Sequence, residues 1–301
     1  MRGAVHRARG RADPRTRGPS LLLARLPYNP CMPELPEVET TRRGLISRLE
    51  GRKLLAIEVR HPRLRWPVPA DLALQLCGRT LAGIARRGKY LLFDFSGLTQ
   101  IVHLGMSGSL RFVEPDEPPT VHDHVDWRFA GGLILRLRDP RRFGAVLLTD
   151  DPARHPLLTH LGPEPLSDPF DGEYLYRASR GAKIAVKNFI MDSRRVVGVG
   201  NIYASESLFA AGIRPGTAAG RLTRRACERL ALAIKLILRA AIKAGGSSLR
   251  DYVTAGGELG YFQLHTRVYD RAGQPCRDCG TTIKRLVQGQ RASFYCPHCQ
   301  N

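Results

Sequence analysis

The sequence predicts an α+β protein: an N-terminal helix leading into an antiparallel β-sandwich, then a helical region, then a small metal-bound hairpin. Three observations carry this. Seven short β-type runs fall between about residues 54 and 150, helical periodicity returns beyond residue 171, and four of the seven cysteines crowd into the last 26 residues. A chain of 301 residues with 43% hydrophobic content fits about two ordinary domains and excludes a disordered tail protein.

Residues 1–31 hold seven arginines and one acid, Asp13, with Pro and Gly punctuation and no sustained apolar period, so they are expected to be unfolded or outside the working protein. From Pro36, the positions Val38, Thr41, Leu45 and Leu49 keep a helical period. Pro36 suits the first helical position, Glu37 and Glu39 favour the positive helix end, and Gly51 is a stop. The β-type runs are 54–59, 90–95, 99–104, 109–113, 125–129, 133–137 and 145–148, with hairpin turns expected at Ser96-Gly97 and Ala130-Gly131-Gly132. A first domain over 33–150 follows. Residues 151–171, rich in Pro and Asp, read as a linker. Within 172–265 a short helix is expected from Ile202 to Ala211, stopping at Gly212. A longer amphipathic one is marked by Leu222, Ala226, Leu230, Ile234, Ile237 and Ala241 and ends at Gly245-Gly246. Residues 266–301 form the last unit, and no internal repeat is evident.

Charge narrows the function. Lys+Arg number 47 against 27 Asp+Glu, a net +20, and +14 remains when residues 1–31 are set aside. A polyanionic partner follows, nucleic acid before an acidic membrane surface. The longest early apolar run, Leu21 to Leu23, is far shorter than a signal-peptide core or a spanning helix, so an intracellular chain is expected.

The strongest local signal is Cys276-x-x-Cys279, sixteen residues, then Cys296-x-x-Cys299, the spacing of two knuckles holding one tetrahedral Zn²⁺. Four sulfurs leave no open position, which makes the metal structural. Residues 281–287 and 291–295 are expected to pair across Gln288-Gly289-Gln290, in a hairpin too small to bury a useful core without the ion. Lys284, Arg285 and Arg291 near its turn suit phosphate contact or a solvated face. His122 and His124 sit two apart and permit a metal pair, but no third ligand presents itself.

Met32-Pro-Glu-Leu-Pro-Glu-Val-Glu-Thr40 resembles the start of the bacterial formamidopyrimidine-DNA glycosylases. Further matches follow in family order: Arg87-Gly-Lys-Tyr90, His103-Leu-Gly-Met-Ser-Gly-Ser109, His122-Asp-His124, Asp139-Pro-Arg-Arg-Phe-Gly144, Leu161-Gly-Pro-Glu-Pro-Leu166, Gly198-Val-Gly-Asn-Ile-Tyr-Ala-Ser-Glu206 and the four-cysteine ribbon. The resemblance implies a helix-two-turn-helix module in the helical domain and a monomer acting in the bacterial cytoplasm. Its substrate would be duplex DNA carrying oxidised purines or abasic sites, cut by base excision and β,δ-elimination.

It also implies residue roles. Pro33 would be the nucleophile. Proline alone has a secondary α-amine, which forms an iminium directly at the sugar C1′, and an α-amine pKa of about 8 leaves a workable neutral fraction. Glu34 would manage protons around ring opening. Lys89 and Arg291 would hold phosphate and assist elimination. Met106, Arg141 and Phe143 would fill the gap left by the extruded nucleotide. Asn201 would meet phosphate at a helix start. His122, Lys183 and Lys187 would lie against DNA, Lys187 near the lesion. A Pro33 acylated by Met32 has no nucleophilic lone pair, so the active protein is expected to begin at Pro33.

Two departures stand out: Asn188-Phe189-Ile190 where the family commonly has Pro-Trp-Leu, and a divergent Gly246 to His265 around the expected lesion-covering loop. Two rivals remain. An endonuclease VIII type enzyme shares the architecture but usually starts Pro-Glu-Gly-Pro and lacks the Arg141–Phe143 pairing. A noncatalytic zinc-ribbon DNA-binding protein would bind without forming a covalent adduct.

Overall fold

The computed structural model describes residues 33–246 and 266–301. The predicted lesion-covering loop therefore lies, beyond Gly246, outside the described residues, as do residues 1–32. Helix α1 (Leu35–Leu49) opens the chain. The sandwich follows with β1 (Leu54–Val59), the short α2 (Leu72–Leu76), then β2 (Gly83–Arg87), β3 (Tyr90–Asp94), β4 (Thr99–His103), β5 (Ser109–Val113), β6 (Asp123–Phe129), β7 (Leu133–Arg138) and β8 (Ala145–Thr149). They form two antiparallel four-stranded sheets, ordered β1-β6-β7-β5 and β2-β3-β4-β8. Both expected hairpins occur, β3–β4 around Ser96-Gly97 and β6–β7 around Ala130–Gly132.

Two elements of the first domain were absent from the sequence reading. In β2, Gly-Ile-Ala-Arg-Arg carries one large apolar side chain, and the strand is held at the sheet edge by its ladder to β3. In α2, a helix of five residues buries only Leu72 and Leu76. The linker is also more ordered than its composition suggests. It contains α3 (Pro156–Thr159), and Glu164 binds Arg86 (2.8 Å), Arg87 (3.2 Å) and the Gly88 amide (2.6 Å), fastening it beside the β2–β3 turn.

The helical part comprises α4 (Gly172–Ser179), α5 (Val186–Met191), α6 (Asn201–Ala210) and α7 (Arg224–Lys243), the first two unforeseen. Thr223 caps α7 through the Ala226 amide; Ala226, Leu230, Ile234 and Ala241 of the expected stripe are buried, Ile237 is partly buried, and Leu222 lies just before the helix. The chain closes with β9 (Lys284–Gln288) and β10 (Arg291–Tyr295). Gln288 pairs with Arg291, so the turn is the two residues Gly289-Gln290, one shorter than predicted. Both have positive φ, the twist that lets a two-residue turn join right-handed strands.

Two cores result. Val38, Leu45 and Leu49 of α1 pack in the sandwich with Leu91, Phe93, Val102, Trp127, Phe129 and Leu137. Leu35, at the start of the same helix, belongs to the other core with Phe189, Tyr203, Leu208, Leu230 and Phe294. Helix α1 thus spans the junction and places its first residues where sandwich and helices meet. The hairpin shares the helical core through Ile283 and Phe294, so its apolar contacts are not confined to its own few residues.

Candidate active site and zinc centre

At that junction lies a cavity of about 730 Å³. The sandwich lines it with Arg65, Lys89, Tyr90, His103, Met106 and Phe143, the helical side with Met191, Ser193 and Val197–Val199, and the zinc hairpin with Arg291. Pro33 and Glu34 lie beneath this floor. Pro33 is buried, and the next residue but one, Leu35, donates its amide to Gly198 O (3.1 Å).

Glu34 is 2% exposed, and its carboxylate accepts from the amides of Gly200 (2.9 Å), Ile202 (3.0 Å) and Tyr203 (3.4 Å) at the start of α6. Helix-start amides have no intrahelical acceptor and favour an anion. Gly200 is required here because a Cβ would lie 2.2 Å from the Glu34 carboxyl carbon. Burial pushes the Glu34 carboxyl up to about 7; Lys89 and the α6 amides oppose the rise, and Glu37 adds to it. Glu37, fully buried, accepts from the Glu34 amide (2.8 Å) and from the Tyr203 hydroxyl (2.6 Å). Opposite, burial with Lys89 and Arg65 nearby pushes His103 down to about 4, leaving a neutral ring against Tyr90 at 4.8 Å. An acid protonated near neutral pH, buried next to a cavity edged by Lys89, Arg65 and Arg291, is placed to give a proton to a substrate whose phosphates those cations hold.

The cluster Cys276, Cys279, Cys296 and Cys299 brings four sulfurs within 4.8 Å of one another. The Cys276–Cys299 and Cys279–Cys296 separations are 3.9 and 3.5 Å. A tetrahedron with metal–sulfur bonds of about 2.3 Å has an edge of about 3.8 Å, so the donors fit Zn²⁺. Amides of Asp278 and Cys299 point at Cys276 and Cys296 sulfurs, the support expected for thiolate ligands. With all four positions taken, the zinc is structural.

Comparison with known proteins identifies the lineage. Residues 32–146 match the family model described as the formamidopyrimidine-DNA glycosylase N-terminal domain, 161–253 its H2TH domain, and 273–301 a zinc finger found in FPG and IleRS. The formamidopyrimidine-DNA glycosylase of Thiobacillus denitrificans is 70% identical over 269 residues, which are 89% of this chain and 100% of that protein. The chain belongs to the formamidopyrimidine-DNA glycosylase family. The family's protein from Thioalkalivibrio sulfidiphilus is 57% identical over 270 residues, again 89% of this chain and 100% of that one. Among solved structures, a mutant Lactococcus lactis FPG in complex with a Fapy-dG containing DNA superposes with a TM-score of 0.84 at 36% identity, covering 89% of this chain and 100% of that one. The MutM (FPG) protein of Thermus thermophilus gives 0.81 at 38% identity, covering 89% and 98%.

Of the residues assigned through the family resemblance, Lys89, Met106, Phe143 and Arg291 line the cavity and Pro33 and Glu34 underlie it. Arg141 is exposed, with its guanidinium 4.8 Å from the Phe143 ring. Asn201 is the first residue of α6, one position inside the N-cap Gly200. Three residues are elsewhere. Lys187 is 1% exposed and donates to Ala292 O (2.8 Å) and Ser293 Oγ (2.9 Å), which corrects its expected place against DNA: it holds the zinc hairpin to α5. Lys183 is exposed beside a smaller pocket with Arg221, and His122 is outside the cavity lining. His124 is buried, with Nε2 on Asp139 O at 2.7 Å, so the two histidines form no metal pair; among the described residues the four-cysteine group is the one metal-binding cluster. The sequence reading missed Arg65, Tyr90, His103 and Glu37. Tyr90 and His103 lay inside quoted motifs, and opposing positions on adjacent strands were the available signal.

Proposed function

We propose that this chain is a base-excision repair glycosylase and AP lyase. It removes oxidised purines, 8-oxoguanine and formamidopyrimidines, from duplex DNA in the bacterial cytoplasm and at the nucleoid, and acts as a monomer. The observation that carries the reading is Glu34: a buried carboxyl beside Pro33, seated on the α6 amides, pushed up to about 7, under a cavity edged with cations. Fapy-dG in the DNA of the Lactococcus complex supports the purine substrate. No helix among the described residues is long and apolar enough to cross a membrane, consistent with that location.

The extruded sugar lies over Pro33. The proline nitrogen bonds to C1′ as the bond from C1′ to the base breaks, and the base leaves with a proton. Glu34 protonates O4′, the ring opens, and the iminium forms. Loss of a C2′ proton expels the 3′-phosphate, a second elimination expels the 5′-phosphate, and water releases the enzyme. Lys89, Arg291 and Asn201 hold flanking phosphates, and Met106, Arg141 and Phe143 occupy the vacated stack. The zinc, held by Cys276, Cys279, Cys296 and Cys299, fixes the hairpin that carries Arg291 and takes no part in bond breaking. The reaction requires a free Pro33 nitrogen, and therefore loss of Met32 and all that precedes it; the family model begins its match at Met32, which supports translation from that residue.

The test is borohydride trapping. Protein of verified N-terminal sequence, incubated with duplex containing 8-oxoguanine opposite cytosine and then reduced, should yield an adduct that maps to Pro33. An adduct on any other residue, or none, would refute the assignment.

A further inference from the structure

Met106 and the Arg141–Phe143 pair stand on different turns. Met106 is on the β4–β5 turn, and the pair is on the β7–β8 turn. Strands β4 and β8 are neighbours in one sheet, and β5 and β7 are neighbours in the other. Both turns therefore cross between sheets at the same edge of the sandwich, side by side.

We propose that Ser107 and Asp139 are positioning residues that join these two turns into one rigid body, so that Met106, Arg141 and Phe143 enter the base stack together. The inference rests on the reading of those three side chains as the ones that fill the stack.

The Ser107 hydroxyl donates to Asp139 Oδ1 (2.6 Å) and accepts from the Arg141 amide (3.1 Å). The other Asp139 oxygen accepts from the Gly144 amide (2.7 Å). One carboxylate and one hydroxyl thus bracket the turn that bears Arg141 and Phe143 and tie it to the residue after Met106. Asp139 is fully buried, its amide donates to His122 O (2.9 Å), and its carbonyl receives the Arg142 amide (3.1 Å) and His124 Nε2 (2.7 Å). A buried carboxylate that loses a donor regains no water, so these bonds hold while the surface is under load.

The backbones meet as well. Gly105 has φ +65°, and a Cβ there would lie 2.4 Å from the Phe143 carbonyl carbon and 2.5 Å from the Gly144 nitrogen. No side chain separates the turns at this point, so neither can shift into the stack without carrying the other.

A double-mutant cycle reads this directly. Extrusion of a tetrahydrofuran abasic analogue in duplex DNA, and the filling of its gap, is followed by the fluorescence of a neighbouring 2-aminopurine, for Met106→Ala, Phe143→Ala and the pair, in the wild-type and Ser107→Ala backgrounds. With the turns joined, the two losses overlap in the wild-type background, and the pair loses little more than the worse single variant. In Ser107→Ala the losses multiply. Ser107→Ala alone should slow extrusion roughly ten- to hundredfold, the loss of one charge-assisted bond, and Ser107→Thr should restore it. Asp139→Asn repeats the test if Ser107→Ala melts early. Identical cycles in the two backgrounds, or wild-type extrusion by Ser107→Ala, would overturn the coupling while leaving the stack-filling reading intact. Normal extrusion by both Met106→Ala and Phe143→Ala would instead remove that reading, and the coupling with it.

Discussion

Glu34 and Arg291 serve the same cavity from opposite kinds of structure: Arg291 lines it, and Glu34 is buried behind its Val197–Val199 wall. Glu34 sits in a frame made of two helices, its carboxylate fixed by three amides and its neighbour Glu37 fixed by Tyr203. Arg291 stands exposed at the end of a two-stranded hairpin, and two turns of chain around a metal hold that hairpin in place. The first arrangement changes the chemistry of one group by removing water from it. The second leaves its cations solvated, where they supply binding energy that salt screens. Proton transfer therefore depends on burial at the floor, and DNA affinity depends on exposure at the rim.

The largest effect should come from the floor. Glu34→Gln should lower base excision by about 10²- to 10⁴-fold, the usual worth of a general acid. Cleavage of a preformed abasic site should fall far less, because that sugar reaches its open form without enzyme. The pH profile adds a sign. Productive enzyme has Glu34 protonated, favoured below about 7, and Pro33 neutral, favoured above about 8. Wild-type excision should therefore peak between these values, and Glu34→Gln should lose the alkaline fall and rise to a plateau. Stability moves too. With a folded value of about 7 against the ordinary 4.5, the protonated carboxyl is the form the fold accommodates. Stability is full below 4.5 and declines by about 3 kcal/mol as pH rises through 7, a decline that Glu34→Gln should abolish in denaturant titrations. Parallel wild-type and variant curves would remove the buried acid from the account.

Zinc removal tests the rim as a whole. Chelation verified by metal analysis should abolish tight binding to lesion duplex, while near-ultraviolet signals from Trp127 and its sandwich neighbours persist. The sandwich core contains no hairpin residue, whereas Ile283, Phe294, Cys276 and Cys296 belong to the helical core. Some loosening around α6 should follow, and unchanged affinity after complete removal would contradict the role given to the ribbon.

How far the sequence carried this contrast follows from distance along the chain. Strand alternation, Gly-bearing turns and the two Cys-x-x-Cys knuckles are local patterns, and each expected one appears within one or two residues of where its spacing placed it, except β9, which begins three residues later than expected. The environment of Glu34 is not local: the amides that hold it are those of Gly200, Ile202 and Tyr203, at least 166 residues away. Without the family resemblance, Pro33 and Glu34 read as a turn proline and a surface acid. Lys187 shows the converse error. The family resemblance set it against DNA, yet its ammonium meets Ala292 and Ser293 more than a hundred residues on, where hairpin carbonyl and hydroxyl oxygens replace water. Charge near a helix start carries no information about which later segment will cover it.

The smallest expected effect isolates one rim cation. Arg291→Ala removes an exposed guanidinium that lines the cavity, while the four-cysteine cluster and the Lys187 anchor remain. If it holds one phosphate, binding should weaken by a similar factor for lesion and undamaged duplex, and the slope of log affinity against log salt should fall by about 0.9. Glu34→Gln should leave that slope untouched, since a buried side chain that meets no phosphate releases no counterion. An unaltered slope in Arg291→Ala would place the side chain in solvent and pass the phosphate to Lys284 or Arg285 on β9, both exposed. A changed slope in Glu34→Gln would mean that the floor also reaches the backbone, and burial would then no longer separate chemistry from affinity in this molecule.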